Sequence, residues 1–370
     1  MSYKIHMNGY NEIRTLYQID SLYAWKNGLY YPPVMVEISP TNSCNQKCRY
    51  CYASQGNYIK ESMRDDILID FFNQAANAGV KAVLVQGTGE PLMHKAMAQA
   101  IEEGAKTDLS IALTTNGVLF NKSIQDRILQ HLFYVKFSVL DIDTKRYAYL
   151  HGCSEKQLDL LIENVKYAVA LREKNALNVG LWATVYIDNI ELKNVYDVVK
   201  FYKEIGLDYI VVQEATYTEL SPSGKAEYNS SKYSDEEIEE FKTKLLTLRD
   251  EDFEIKIRVP INDNNYFVGL DTDSWQKNYC QGINFYTLIS GDGEIYPCWR
   301  MWEQKEYSYG SLYKNTFEEI WKSDRRKEID KYVNSMSPTS DECKVCNIGK
   351  LNSILSKLSN DNNKWKNFLT

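Results

Sequence analysis

Cys44-Asn45-Gln46-Lys47-Cys48-Arg49-Tyr50-Cys51 places three cysteines at CxxxCxxC spacing shortly after an apolar run, Val34-Met35-Val36-Glu37-Ile38. The run has the length and β-branched character of a buried strand, so the cysteines stand on the loop after it. Three thiolates suit three corners of a cubane [4Fe-4S] cluster, whose irons prefer soft ligands, and the fourth iron is then left for a ligand from outside the chain. By themselves the three cysteines would also be compatible with half a zinc site or with buried thiols that hold no metal. The motifs downstream of them in the chain decide between these readings.

Outward from that strand the pattern alternates between short β-rich runs and amphipathic helices. Ala82 to Gln86, Ser110 to Thr114, Tyr134 to Val139, Asn178 to Val185 and Tyr209 to Gln213 read as further strands. Helices are expected near 65–78, 94–105, 122–131, 155–173 and 191–205. Six βα units with short connections predict a parallel sheet covered by helices, either doubly wound or a partial barrel. Each informative motif follows the C-terminal end of a strand, where both architectures place their active sites. Upstream, residues 12–26 predict one helix with Ile13, Leu16, Ile19 and Tyr23 on one face, stopped by Gly28 and Pro32-Pro33. Downstream, 221–234 reads as a loop, 235–248 as a charged helix and 254–259 as a strand. The chain after Trp275 is rich in turns and cysteines, and the tail after Gly349 predicts a helix with a frayed end.

The bulk composition excludes several function classes. At 370 residues the chain is long enough for one large domain and a smaller one, and its 44% hydrophobic content can build a substantial core. No apolar run approaches the roughly eighteen residues of a membrane span, and the N-terminus lacks the order of a secretion signal, so a cytoplasmic protein is expected. A net charge of -7 with no dense Lys/Arg block argues against nucleic acid as a partner. The eight cysteines divide along the chain as three, one and four, which in a reducing compartment favours metal ligation or catalysis over disulfides.

With Tyr50 immediately before the third cysteine, the CxxxCxxC loop resembles the signature of the radical S-adenosylmethionine (radical SAM) superfamily. The resemblance implies a partial (β/α)6 TIM-like barrel in which Cys44, Cys48 and Cys51 hold a [4Fe-4S] cluster whose open iron chelates SAM. Gly87-Thr88-Gly89-Glu90-Pro91, after the second strand, resembles the Gly-Gly-Glu-Pro motif that contacts the SAM amino group, with Thr88 standing where the family has a glycine. Asn116, after the third strand, and Ser138, at the end of the fourth, look like further elements of the SAM pocket. His151 stands where many relatives carry an arginine for the SAM carboxylate, and an imidazole cannot form that residue's bidentate fork. Thr184 and Gln213 end the fifth and sixth strands and complete the expected set.

Cys280, Cys298, Cys343 and Cys346 form a second group that by spacing suits either zinc or an iron-sulfur cluster. Between its first two members runs a hairpin pattern with a Gly291-Asp292-Gly293 turn. The order of motifs resembles the auxiliary-cluster extensions called SPASM and twitch domains. No cysteine follows Cys346, which points to the shorter twitch type with one fully ligated [4Fe-4S] cluster. The expected organisation is an extension at 1–33, a radical SAM barrel at 34–233, a connecting helix and strand at 234–274, the auxiliary-cluster domain at 275–350 and a tail at 351–370.

What the resemblance implies about the reaction is a 5′-deoxyadenosyl radical that takes hydrogen from a substrate, with a flavodoxin- or ferredoxin-type donor feeding electrons to the first cluster. Four thiolates saturate the auxiliary cluster, so its expected task is to accept the substrate's second electron in an oxidation. Only 33 residues precede the first strand, too few for a leader-peptide-binding domain, and a small molecule such as a sugar or aminocyclitol is the expected substrate. Glu214 is the candidate base on its position after the sixth strand. The alternatives are a radical SAM epimerase with Cys153 as hydrogen donor, an enzyme that crosslinks peptides and, more remotely, a non-catalytic binding protein stapled by metal.

Overall fold

The computed structural model describes residues 15–51, 60–187, 192–214, 233–258, 280–299, 301–302, 304–335 and 348–359. An opening helix, α1 (Ile19–Lys26), precedes β1 (Met35–Ile38), α2 (Asp65–Ala78), β2 (Ala82–Val85), α3 (Met97–Gly104) and β3 (Ser110–Thr115). Then come α4 (Lys122–Ile128), β4 (Tyr134–Ser138), α5 (Thr144–His151), α6 (Lys156–Lys174), β5 (Gly180–Ile187), α7 (Leu192–Ile205) and β6 (Tyr209–Glu214). The chain continues through α8 (Asp235–Leu246), β7 (Glu254–Arg258), β8 (Tyr286–Ile289), β9 (Glu294–Tyr296), β10 (Gly310–Ser311), α9 (Phe317–Lys322), α10 (Asp324–Ser335) and α11 (Gly349–Ser359). None of the described helices is long and apolar enough to cross a membrane.

The ten strands among the described residues share one sheet, ordered β10-β9-β8-β1-β2-β3-β4-β5-β6-β7. From β8 to β7 every neighbouring pair is parallel, and only the β8-β9-β10 meander is antiparallel. Both additions extend the six expected strands. β7 alternates apolar Ile255 and Ile257 with Lys256 and Arg258, and it pairs with β6. β8, from the segment read as auxiliary, pairs with β1 in parallel and covers what would otherwise be an open edge.

Strand alternation sorts the side chains into two environments. One set, including Val36, Ile38, Val85, Phe137, Val185 and Val212, is fully buried in an apolar cluster shared with the helices, where Phe71, Phe72, Leu161 and Val198 pack. The opposite set carries Glu37, Thr114, Lys136, Trp182, Thr184 and Arg258. Curvature brings this second set together. Lys136 on β4 senses Glu37 on β1 and Arg258 on β7 electrostatically, and the Tyr50 ring, beyond β1, lies 5.0 Å from the Tyr186 ring on β5. In a flat sheet β1 and β5 would stand about 19 Å apart. The polar set therefore lines the lumen of a barrel-like sheet. Stacked Tyr134 and Trp182 (4.0 Å), with Tyr209 5.2 Å from Trp182, fill its N-terminal end.

The C-terminal segment packs around a smaller core of Ile283, Tyr286, Leu288, Tyr296, Trp302 and Ile348. The tail helix is tied in: the Asn352 side-chain oxygen accepts from the Gln281 and Gly282 amides, beside Cys280. At the other end, the expected apolar face of the first helix is not buried among the described residues. Leu16, Ile19 and Tyr23 are each 65% exposed, Ile13 lies outside the described residues, and the helix is anchored by Trp25 set edge-on to Phe285 at 5.7 Å.

Candidate active site

The cysteine loop is clamped from two sides. On one side is the C-terminal end of α5, where the Lys47 amide donates to the His151 carbonyl and the Arg49 amide to the Leu150 carbonyl, both at 2.9 Å. Gly152 ends the helix in the left-handed region, φ 55°, and a Cβ there would meet the Lys47 carbonyl oxygen at 2.2 Å. Glycine satisfies both the helix end and the close approach of the loop.

On the other side is the glycine-rich turn after β2. A Cβ on Gly89 would stand 2.4 Å from the Ser43 oxygen and 2.5 Å from the Thr41 oxygen, and the Glu90 amide donates to the Ser43 carbonyl at 2.9 Å. Gly87, at φ 151°, lies against Ser39, whose hydroxyl is 3.3 Å from that of Thr88. This pairing accounts for Thr88 in place of a family glycine: its side chain has a buried partner. The Glu90 carboxylate accepts from the Thr115 hydroxyl (2.7 Å), the Asn116 amide (2.7 Å) and the Leu92 amide (3.2 Å). It ties the β2 turn to the β3 turn, and burial raises its pKa. Pro91 begins the short turn that Glu90 caps. Asn116 reaches the loop itself, donating to the Asn45 side-chain oxygen at 2.7 Å.

Beneath the loop, Gln46 donates to Tyr147 Oη and Gln157 Oε1, both at 3.0 Å, so its own Oε1 faces His151 Nδ1 at 2.7 Å as an acceptor. This network assigns the proton to Nδ1. The ring is fully buried and stacked 4.1 Å from Tyr147, and burial lowers its pKa to about 3. Nε2 keeps its lone pair and has no hydrogen-bond partner among the described residues. With its one N–H given to Gln46, His151 braces the loop from beneath, with Nδ1 3.4 Å from Cys48 Sγ.

Other expected contacts lie at the C-terminal rim of the lumen. Ser138 and Thr184 are paired across β4 and β5, and neither hydroxyl has a protein partner among the described residues. Gln213 accepts from Arg258 at 3.2 Å. The Tyr50 hydroxyl bonds Cys48, and its ring packs on Tyr186. Cys153 sits just past the α5 terminus with its thiol 3.6 Å from the Ser154 carbonyl, and burial pushes its pKa up to about 11.

The donor set fits a cluster. Burial, with Cys51 and Cys44 alongside, pushes the Cys48 thiol well above its ordinary value, so three neighbouring thiolates need a cationic centre to coexist. Among the described residues no three His, Cys, Asp or Glu side chains converge as around one metal ion, and a cubane instead binds each thiolate through a different iron. Of the second group, Cys280 and Cys298 are half-buried, Cys280 against the smaller core, and Cys343 and Cys346 lie outside the described residues. Trp299, adjacent to Cys298, donates its indole N–H to Glu37 in the lumen at 3.0 Å. Glu37 also accepts from Tyr286 Oη at 2.6 Å and from Gln86 Nε2. Sequence reading missed this network, since only the pairing of β8 with β1 brings its members together.

Comparison with known proteins agrees with this geometry. Residues 38–181 match the radical SAM superfamily domain, and residues 280–347 match SPASM, an iron-sulfur cluster-binding domain. The chain is 26% identical to the cysteine-type anaerobic sulfatase-maturating enzyme of Clostridium perfringens (strain 13 / Type A), over 86% of this chain and 88% of that protein. It is 25% identical to the GTP 3',8-cyclase of Aquifex aeolicus, over 80% and 92% respectively. Its fold is similar to that of Streptococcus suis SuiB bound to S-adenosylmethionine, with a TM-score of 0.67 at 17% identity, covering 93% of this chain and 78% of SuiB. It is also similar to anSMEcpe with bound AdoMet, at 0.55 and 21%, covering 87% and 85%. The two matched domains imply SAM at one [4Fe-4S] cluster and an auxiliary cluster beyond it. The chain carries a radical SAM superfamily domain at residues 38–181 and a C-terminal SPASM iron-sulfur cluster-binding domain at residues 280–347.

Proposed function

We propose that the enzyme oxidatively modifies an amino-acid side chain of a peptide or protein substrate. The observation that carries this reading is the likeness to the sulfatase-maturating enzyme along 86% of the chain. SuiB, whose fold is shared, has also been crystallised with the precursor peptide SuiA. Oxidation of a sugar or aminocyclitol, expected from the sequence, draws no support from the GTP 3',8-cyclase or the sulfatase-maturating enzyme.

With cluster and SAM bound, the site supplies a 5′-deoxyadenosyl radical for hydrogen abstraction. The chain's own residues position and shield that chemistry. Ser138 and Thr184 offer open hydroxyls at the rim, Tyr50 and Tyr186 wall it, and the aromatic plug keeps solvent from the lumen's far end. An oxidation would remove from the substrate a hydrogen atom at carbon, a proton to a base and one further electron, which an auxiliary cluster held by Cys280, Cys298, Cys343 and Cys346 would accept. Glu214, the base expected from the sequence, ends β6 paired with Ile187, on the alternation of Ile210 and Val212 and not on that of Gln213. A flavodoxin- or ferredoxin-type protein is the proposed electron donor to the first cluster.

Reconstituted anaerobically, the protein should hold about eight irons, two cubanes of four, and no stoichiometric zinc. About four irons with one zinc would remove the auxiliary cluster from the scheme. The reaction itself is tested by incubating the loaded enzyme with SAM, dithionite and a peptide library in heavy water. An oxidised peptide should come out about two mass units lighter with no solvent deuterium on carbon. Deuterium on carbon, lost in Cys153→Ala, would favour epimerisation instead. Consumption of GTP and not of any peptide would favour the cyclase-like reading that the Aquifex relative suggests.

A further inference from the structure

The second cysteine of the loop has a neighbour whose chemistry the backbone clamp does not use. Gln46 spends both amide hydrogens, on Tyr147 Oη and on Gln157 Oε1, each at 3.0 Å, which turns its oxygen toward His151. A proton on His151 Nε2 would be buried with no acceptor among the described residues, so the imidazole is neutral and carries its one hydrogen on Nδ1. Two acceptors compete for that hydrogen, Gln46 Oε1 at 2.7 Å and Cys48 Sγ at 3.4 Å. Because Sγ and Oε1 are themselves only 3.8 Å apart, they lie less than a right angle apart as seen from Nδ1, and one hydrogen set between them reaches both.

As a thiol, Cys48 can give its own hydrogen to Gln46 Oε1. As the thiolate that ligates a cluster it has none to give, and its lone pairs face the amide oxygen. The His151 hydrogen then lies between two acceptors that would otherwise repel, and the charged sulfur draws it. The imidazole cannot swing away: it is fully buried, stacked 4.1 Å from Tyr147, and followed by Gly152 packed on Lys47. Hydrogen bonds to the sulfurs are among the levers that set an iron-sulfur potential, since they draw charge off the cluster and favour its reduced form.

We infer that His151 shares its Nδ1–H between Gln46 and the Cys48 thiolate, and that this bond raises the reduction potential of the first [4Fe-4S] cluster. His151 acts here as a positioning residue, through Cys48. This role follows from the matched radical SAM domain and is independent of the peptide oxidation proposed above.

The test is a redox titration of the reconstituted, SAM-free protein followed by EPR, the first cluster being the one whose reduced signal changes when SAM is added. His151→Phe keeps a ring against Tyr147 and removes the hydrogen. Its midpoint should fall by the equivalent of about a three- to tenfold change in the reduction equilibrium, roughly 30–60 mV for one electron. Gln46→Met removes the competing acceptor, so the hydrogen passes wholly to sulfur and the midpoint should rise. A general loosening of the loop would move both variants the same way. Iron content and thermal melting show that each variant is folded and loaded. A further readout needs no variant: with isotope-labelled histidine in the parent protein, pulsed EPR of the reduced first cluster should show a histidine nitrogen coupling carried through the N–H···S contact. No shift in His151→Phe, shifts of one sign in both variants, or a reduced first cluster without that coupling would each overturn this role for His151.

Discussion

Cys48→Ala will abolish 5′-deoxyadenosine formation and lower the iron content from about eight to about four per chain. Losing a hydrogen-bonding partner of a metal ligand already costs ten- to a hundredfold, so losing the ligand itself should cost more than about a hundredfold in SAM cleavage. The fold should survive. Gln46 and His151 contact Cys48 Sγ at 3.8 and 3.4 Å, but they bond each other at 2.7 Å and remain paired when the thiol is gone. The backbone bonds from Lys47 and Arg49 to the end of α5 are also untouched. The stability cost should therefore be about 1 kcal/mol. A variant that melts normally, binds four irons and cleaves no SAM is the expected result. Residual cleavage at more than a few per cent of the parent rate would remove Cys48 from the ligand set.

The parts of the site that sequence disclosed are those that one short segment determines. CxxxCxxC is read without knowing where the chain goes next, and Gly-Thr-Gly-Glu-Pro after a strand carries its own backbone logic. What remained hidden depends on closure of the sheet. Lys136 and Ser138 alternate with Val135 and Phe137, a pattern that fixes which residues share a face but not whether that face meets solvent or a lumen. Glu37 reads as a stray charge in an apolar strand until β8 brings Tyr286 to it and the turn after β9 brings Trp299. The surroundings of His151 depend on closure in a similar way. The residue occupies an expected ligand position in the linear order, and Gly152 lets the end of α5 dock on Lys47, and that docking carries the imidazole under the loop to Gln46. The exposed stripe on the first helix marks the opposite limit: periodicity finds an amphipathic face but not what packs on it.

Gly89→Ala should be the most damaging single-methyl change in the chain's first cluster site, and its effect will be specific to that site. The added carbon would meet the Ser43 oxygen at 2.4 Å, the Thr41 oxygen at 2.5 Å and the Asn42 carbonyl carbon at 2.7 Å. All three are backbone atoms, with no flexible side-chain end to swing aside, so the loop entering Cys44 must move. That movement breaks the bond from the Glu90 amide to the Ser43 carbonyl and loosens the Thr115 and Asn116 contacts that Glu90 holds. Overpacking of this kind costs up to about 3 kcal/mol, which in a protein of this size corresponds to a melting temperature lower by up to about 4 °C. Iron should fall toward about four per chain as the first cluster is lost and the auxiliary one stays. Gly28→Ala is the matched control: its φ of 66° carries the backbone cost, but nothing lies within 4 Å of the new carbon. It should lose about 1 kcal/mol and keep both clusters. Gly152→Ala presses on the loop from the α5 side and should reproduce the Gly89 result, since its Cβ meets Lys47 O at 2.2 Å. If both inner variants kept full iron and SAM cleavage, the clamp on the cysteine loop would not be what holds the cluster site in shape.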